Sequence, residues 1–327
     1  MLASRAMSTV ESLRSGAVLG PGRDRFARAR NIMRAPSAAS ALISVLLLLL
    51  LYAAFDHGAA SLAAGARIQV VVAAVAALAC GALMWTGTLR FAAPHRALVA
   101  VGLLTAFACW SGITVAWSVA PDQTWIELNR AITYVIVLGL AVAVGASHAR
   151  SVELAAKGFL AVAIVVSLYG IGQKVVPGIH LGGFNLDQTA IFPRLQEPFG
   201  YWNALALFLA MGVPVALAIA VDRTTSKRAR LLALLAVELL VVTLTLTESR
   251  GGVLALAIGL AAGIAASAAR LRSLTWLALA LAASLPPLLL ALASHNLNTA
   301  FVAAGPRERT GAELGAVLVG SLIVLWF

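Results

Sequence analysis

The sequence predicts an all-α protein, a polytopic transmembrane helical bundle of about nine to ten helices. Three observations predict it. Of 327 residues, 61% are apolar and only 11% are charged, whereas a soluble domain is roughly 25% charged. Apolar runs of about 20 residues recur along the chain, the length needed to cross ~30 Å of hydrocarbon at ~1.5 Å per residue. Lys and Arg collect in alternate connections between these runs, as the retention of positive charge on the cytoplasmic side requires. The runs are continuously apolar and rich in Leu and Ala, without the alternation of outer-membrane strands, so helices are expected and a barrel is not.

Residues 1–37 form a basic cytoplasmic tail bearing Arg5, Arg14, Arg23, Arg25, Arg28, Arg30 and Arg34. No small-residue cleavage site follows a short apolar region, so the first span, 38–55, is expected to act as an uncleaved signal. The transmembrane domain covers 38–327. Spans 68–87 and 97–117 hold Cys80 and Cys109 at different depths of antiparallel neighbours, where packing and not a disulfide is expected. Spans 131–147 and 158–176 follow, then 201–221 with Pro214 inside it. Glu238 is the lone acid deep in span 231–247, either a proton relay or a hydrogen-bonded packing group. Span 251–268 carries Gly259 and Gly263 in the small-xxx-small spacing of close helix contacts. Pro286 and Pro287 interrupt span 274–294, and kinks are expected there and at Pro214. The last run, 312–327, ends on Trp326 and Phe327 without a polar flank, which points to a chain that stops partway through a longer gene product. Trp85, Trp117, Trp125 and Trp202 lie near span ends, as interfacial anchors do.

Charge placement sets the orientation. Arg90, Arg96, Arg150, Lys157, Arg223, Lys227, Arg228, Arg230, Arg270 and Arg272 share the side of the tail. The opposite, extracytoplasmic side keeps only Arg67, Arg130, Lys174, Arg194, Arg250, Arg307 and Arg309. The net charge of +11 therefore lies largely on cytoplasmic segments, where anionic lipid and the insertion machinery account for it. Membrane lipids are expected partners and nucleic acid is not.

One outward loop stands out, at about 177–200, with a His, two acids, an Arg, three Pro and four Gly before Tyr201 and Trp202. Loops of this length are often functional, although a plain surface loop has the same composition. Charges at the mouths of spans are costly and tend to have a purpose. Four basic residues meet that description on the outward side: Arg130 at the start of span four, Lys174 at the end of span five, Arg194 before span six, and Arg250 in the tight turn with Glu248 and Ser249. An outward group of Arg departs from the charge bias, and phosphate is its natural partner because the planar guanidinium binds two oxygens at once. Gly251 and Gly252 open span eight, whose free N–H groups also favour an anion. The alternative is that each Arg snorkels to the interface or pairs with Glu127, Glu197 or Glu248.

The strings WSVAPDQTWIELNRAITY, LYGIGQKVVPG, RLQEPFGYWNALALFLAMG and TLTLTESRGGVLALAIGL resemble, in order and spacing, the O-antigen ligase-like membrane family of actinobacterial type, over roughly residues 97–311. The Arg194 to Ala206 stretch, with Tyr201, Trp202 and Asn203, and the Ser249-Arg250-Gly251 turn are its more specific parts. The resemblance implies a glycosyl transferase, ligase or polymerase, that moves a glycan from a polyprenyl-diphosphate carrier to an acceptor on the extracytoplasmic side. No cofactor and no metal are implied. Arg194 and Arg250 correspond to the family's two outward arginines that hold the diphosphate. The family's catalytic His lies in a large outward loop further along, and neither His180 nor His295 sits in that context, so no residue of this chain is assigned the catalytic role. A transporter or flippase for a lipid-linked or anionic solute, or an inactive fragment, are the competing readings.

Overall fold

The computed structural model of the chain describes residues 38–86, 93–147, 150–176, 180–181, 184–185 and 193–326. The expected basic tail, Arg90 and most of the 177–192 stretch lie outside the described residues. Residues 42–327 form one compact unit, and residues 1–41 count as another, of which 38–41 open the first helix.

Ten long helices occur among the described residues: α1 (Ala38–Phe55), α2 (Leu62–Thr86), α3 (His95–Thr114), α4 (Pro121–Ser147), α5 (Ser151–Val175), α6 (Trp202–Val221), α7 (Lys227–Thr245), α8 (Arg250–Ala266), α9 (Arg270–Ala293) and α10 (Ala304–Trp326). Each overlaps one of the expected apolar runs. One antiparallel pair of two-residue strands, β1 (His180–Leu181) and β2 (Phe184–Asn185), sets His180 opposite Asn185 and Leu181 opposite Phe184. Seven helices, α2 to α6, α9 and α10, are long and apolar enough to cross a membrane; α1 and α8 are apolar but shorter. α7 opens on Lys227, Arg228 and Arg230. The chain is a multi-pass membrane protein with an all-α fold.

Several helices start earlier than their apolar runs. α4 begins at Pro121, not 131, because proline suits the first helical position and the helix continues through polar residues that need no hydrocarbon cover. Arg130 consequently lies within α4 and not at its mouth. α10 begins at Ala304, eight residues ahead of the expected 312, and carries Arg307 in its first turns.

Burial separates the helices into a centre and a periphery. In α6, 61% of the most apolar stretch is buried, against 6% in α3. α6 packs on α5, α7, α8 and α9, and α10 packs on α5, α7 and α9. The centre is closely fitted, with Leu205, Leu209, Val213, Leu240 and Val166 at 0% exposure. A Cβ on Gly212 would lie 3.0 Å from Leu240 Cδ1 and 3.3 Å from Ala163 Cβ, so glycine lets α5, α6 and α7 approach. Ser167 Oγ lies 2.6 Å from Thr243 Oγ1, and Thr243 donates to the Leu239 carbonyl at 2.8 Å; the pair joins α5 to α7 without leaving a hydroxyl unsatisfied. α2 and α3 pack on α4 and make little contact with the centre. Their exposed Leu103, Phe107 and Trp110 face a solvent of hydrocarbon, in which apolar exposure carries no penalty.

Some local expectations need correction. Cys80 and Cys109 are free, as expected, but both are exposed and do not pack in the core. A Cβ on Gly263 would meet nothing within 4 Å and one on Gly259 only Pro214 Cγ, at 3.9 Å; the small-xxx-small pair is not a tight helix contact. Pro214, Pro286 and Pro287 lie inside continuous α6 and α9. Trp85, Trp117 and Trp125 are exposed at helix ends. Glu238 is fully buried and accepts a hydrogen bond from Ser321 Oγ on α10.

Candidate functional site

Four segments meet at one end of the bundle: the C-terminal end of α5, the strap 193–200, the start of α6, and the turn 246–249 that leads into α8. The strap is fixed first by its backbone, since Leu195 N–H donates to the Leu246 carbonyl at 3.1 Å and Leu195 itself is fully buried. This pairing sets residue 194 beside residue 248. Arg194 Nε then donates to Glu248 Oε2 at 3.2 Å, and its guanidinium carbon stands 5.6 Å from the Trp202 ring centroid, within the range of a cation–π contact. Arg194 remains 47% exposed, so its outer N–H groups face open space.

The turn owes its shape to Glu248, whose φ of 53° is left-handed. That conformation costs a non-glycine residue ~1 kcal/mol, and it reverses the chain between α7 and α8 within four residues. Ser249 caps α8: its Oγ accepts from Gly252 N–H at 3.0 Å and donates to Asn203 Oδ1 at 2.7 Å. Asn203 Nδ2 donates in turn to the Tyr201 hydroxyl at 2.7 Å. The expected free N–H at Gly252 is therefore occupied by the cap, while Arg250 and Gly251 are exposed at the first turn. Arg250 forms no ion pair with any described residue. A Cβ on Gly252 would lie 2.4 Å from Ala206 Cβ, so only glycine allows α8 to start against α6. Glu248 and Trp202 thus hold Arg194; Ser249, Asn203 and Tyr201 form a hydrogen-bonded chain beside them, and Arg250 and Gly251 stand exposed at the adjoining first turn of α8.

The other two expected cations are placed differently. Lys174 is 2% exposed, and its ammonium donates to the Pro193 and Leu297 carbonyls. It ties α5 to the strap and to the one-turn helix His295–Asn298, and holds the residue before Arg194. Arg130 pairs with Glu127 on its own helix at 2.7 Å and lines a small cavity with Ser61, Gly65 and Trp125; no described contact joins it to the 246–250 turn.

A pair that the sequence reading did not single out lies on the same strap. His57 Nδ1 is 3.5 Å from Glu197 Oε2, with the His side chain 65% exposed and the Glu 7%. The turn from α1 to α2 passes through left-handed His57, Gly58 and Ala59 and packs on the strap, since a Cβ on Gly58 would lie 3.2 Å from Phe199 Cδ1 and one on Gly200 would lie 3.4 Å from His57 Nδ1. Burial raises the Glu197 pKa, with the His57 charge acting against it. Only the position of His57, in the connection between the first two spans and on the side to which charge placement assigns Arg194, signalled it in the sequence.

The raised value has a sign. The folded protein binds the Glu197 proton more tightly than the unfolded chain does, so the stability it adds is full below the usual Glu pKa, ~4.3, and is lost as pH rises through the native value. Thermal unfolding in detergent from pH 4 to 7 is expected to show the wild type losing stability relative to Glu197→Gln; parallel curves would remove Glu197 as the cause.

Comparisons with family models, with curated proteins and with solved structures found no match for this chain.

Proposed function

We propose that this protein is a membrane glycosyl transferase of the O-antigen ligase-like class, transferring glycan from a polyprenyl-diphosphate carrier to an acceptor at the extracytoplasmic surface of the cytoplasmic membrane. On this reading the N-terminus is cytoplasmic and the Arg194 end faces outward. The single observation that carries it is the convergence of Arg194 and the Glu248-Ser249-Arg250 turn on one mouth. Arg250 has no described carboxylate partner there, and Arg194 is half exposed.

The chemistry suits that mouth. An acceptor hydroxyl attacks the anomeric carbon, the bond from that carbon to the diphosphate oxygen breaks, and the hydroxyl proton leaves to a base or to water. The departing diphosphate gains negative charge, so fixed guanidinium groups stabilise the transition state more than the ground state. Lys174 takes a positioning role, holding the strap that carries Arg194. Tyr201 and Trp202 offer flat apolar surface at the carrier's headgroup level.

The competing reading, transport or flipping of a lipid-linked solute, draws on Glu238, an acid buried between α7 and α10. One reconstitution separates the two. The purified chain in vesicles, given a polyprenyl-diphosphate-linked glycan in the outer leaflet and an acceptor outside, is expected to join glycan to acceptor and release polyprenyl diphosphate. Movement of the carrier between leaflets without any joined product would replace the transferase by a flippase.

A further inference from the structure

A charged cleft lies at the other end of α6 and α8. These two helices start together at the Asn203–Ser249 bond and run in the same direction as far as Gly259, where an added Cβ would lie 3.9 Å from Pro214 Cγ. Beyond that point they separate, and α8 makes few contacts with α9. The gap is a cavity of about 1040 Å³, walled by Pro214, Leu217, Leu260, Ile264 and Leu271. Gly263 lines it, and a side chain there would meet open space.

The mouth of the cleft has the opposite character. Arg223, Arg270 and Arg272 line it; none of the three forms an ion pair with a described residue within 4 Å, and Arg272 alone acts on the Asp222 charge from further off. Asp222, the acid among them, is already held by the Thr224 backbone N–H at 2.8 Å, the Thr224 hydroxyl at 2.7 Å and the Thr225 hydroxyl at 3.2 Å. α9 begins beside the arginines at Ala269, which offers no side-chain cap, so the positive end of a 24-residue helix adds to their field.

From this we infer that the α6–α8–α9 cleft binds an anionic membrane phospholipid, its phosphate between Arg223, Arg270 and Arg272 and an acyl chain against Leu217, Leu260 and Ile264. Charge complementarity selects the headgroup, because three arginines outweigh one aspartate that already has its own donors. The wall selects the rest. Pro214 and Leu217 belong to a helix apolar enough to cross the membrane, so a cleft opening on them lies at hydrocarbon depth, where a soluble anion has no reason to enter. Only an amphiphile satisfies both ends. The site is independent of the Arg194 mouth and of any glycan chemistry.

Native mass spectrometry of the full-length protein, exchanged in detergent against phosphatidylglycerol or against phosphatidylcholine of the same chains, tests this. The wild type is expected to retain one phosphatidylglycerol with a preference of roughly tenfold or more over phosphatidylcholine, in line with the pull of basic residues near anionic lipid. Two variants attack different halves of the site. Arg223→Gln/Arg270→Gln/Arg272→Gln is expected to lose the preference, and Gly263→Leu, which fills the cleft with the arginines intact, is expected to lose the bound lipid. Unfolding temperatures in phosphatidylcholine alone report whether each variant folds, and either variant suffices. Equal retention of the two lipids by the wild type overturns the inference, as does unchanged preference in both folded variants. Displacement of phosphatidylglycerol by inorganic phosphate makes the site a simple anion site, and displacement by lower concentrations of polyprenyl diphosphate assigns it to the carrier; both outcomes overturn the phospholipid.

Discussion

Arg250→Ala is expected to lower glycan transfer by about 10²- to 10³-fold, the usual loss when one fixed charge-stabilising donor is removed from a reacting site. Arg194→Ala should fall into the same range. Under the proposed reaction the loss appears in kcat more than in KM, because the guanidinium groups meet greater charge on the leaving diphosphate than on the bound carrier. Arg250→Lys is expected to restore only part of the rate, since an ammonium lacks the planar pair of donors that matches phosphate oxygens. Arg130→Ala is the control: that side chain already pairs with Glu127 at 2.7 Å, and transfer should stay near wild type. A reconstituted transfer assay reads all four proteins, and full activity in Arg250→Ala together with Arg194→Ala would end the diphosphate assignment.

The second large effect is structural. Gly311→Ala is expected to destabilise the protein by ~3 kcal/mol, the upper part of the range for overpacking a fitted core. A Cβ at that position would lie 2.2 Å from the Lys174 carbonyl oxygen and 2.9 Å from that of Val175. Both are backbone atoms at the end of α5, so relief requires moving a helix. Lys174 is the residue whose ammonium holds Pro193, so a shift there also disturbs the strap that carries Arg194. Gly305→Ala on the same helix, with nothing within 4 Å of the added carbon, is expected to be neutral or slightly stabilising. Thermal unfolding in detergent compares the two, and equal midpoints would mean that α5 and α10 do not approach as described.

The ten helices were legible in the sequence because a membrane solvent imposes one rule along the whole chain: a helix needs about 20 apolar residues, and turns collect the polar ones. Their ends were less legible. α4 and α10 continue for two or three turns into residues such as Asp122, Glu127 and Arg307, because backbone hydrogen bonding does not stop where hydrophobicity does. The Glu248-Ser249-Arg250 turn was legible as a turn, since polar residues and two glycines interrupt apolar runs within seven positions.

What the sequence by itself determined was the solvent of this protein, its helical class and the turn in which Glu248, Ser249 and Arg250 stand together. Which of those charges meet was decided only by tertiary structure. Arg194 and Glu248 are 54 residues apart, and Lys174 reaches Leu297 across 123. Spacing along one helix says nothing about such pairs, because they depend on how helices cross and where their backbones come close. The same reason hid His57 beside Glu197 and the cleft where α6 and α8 part.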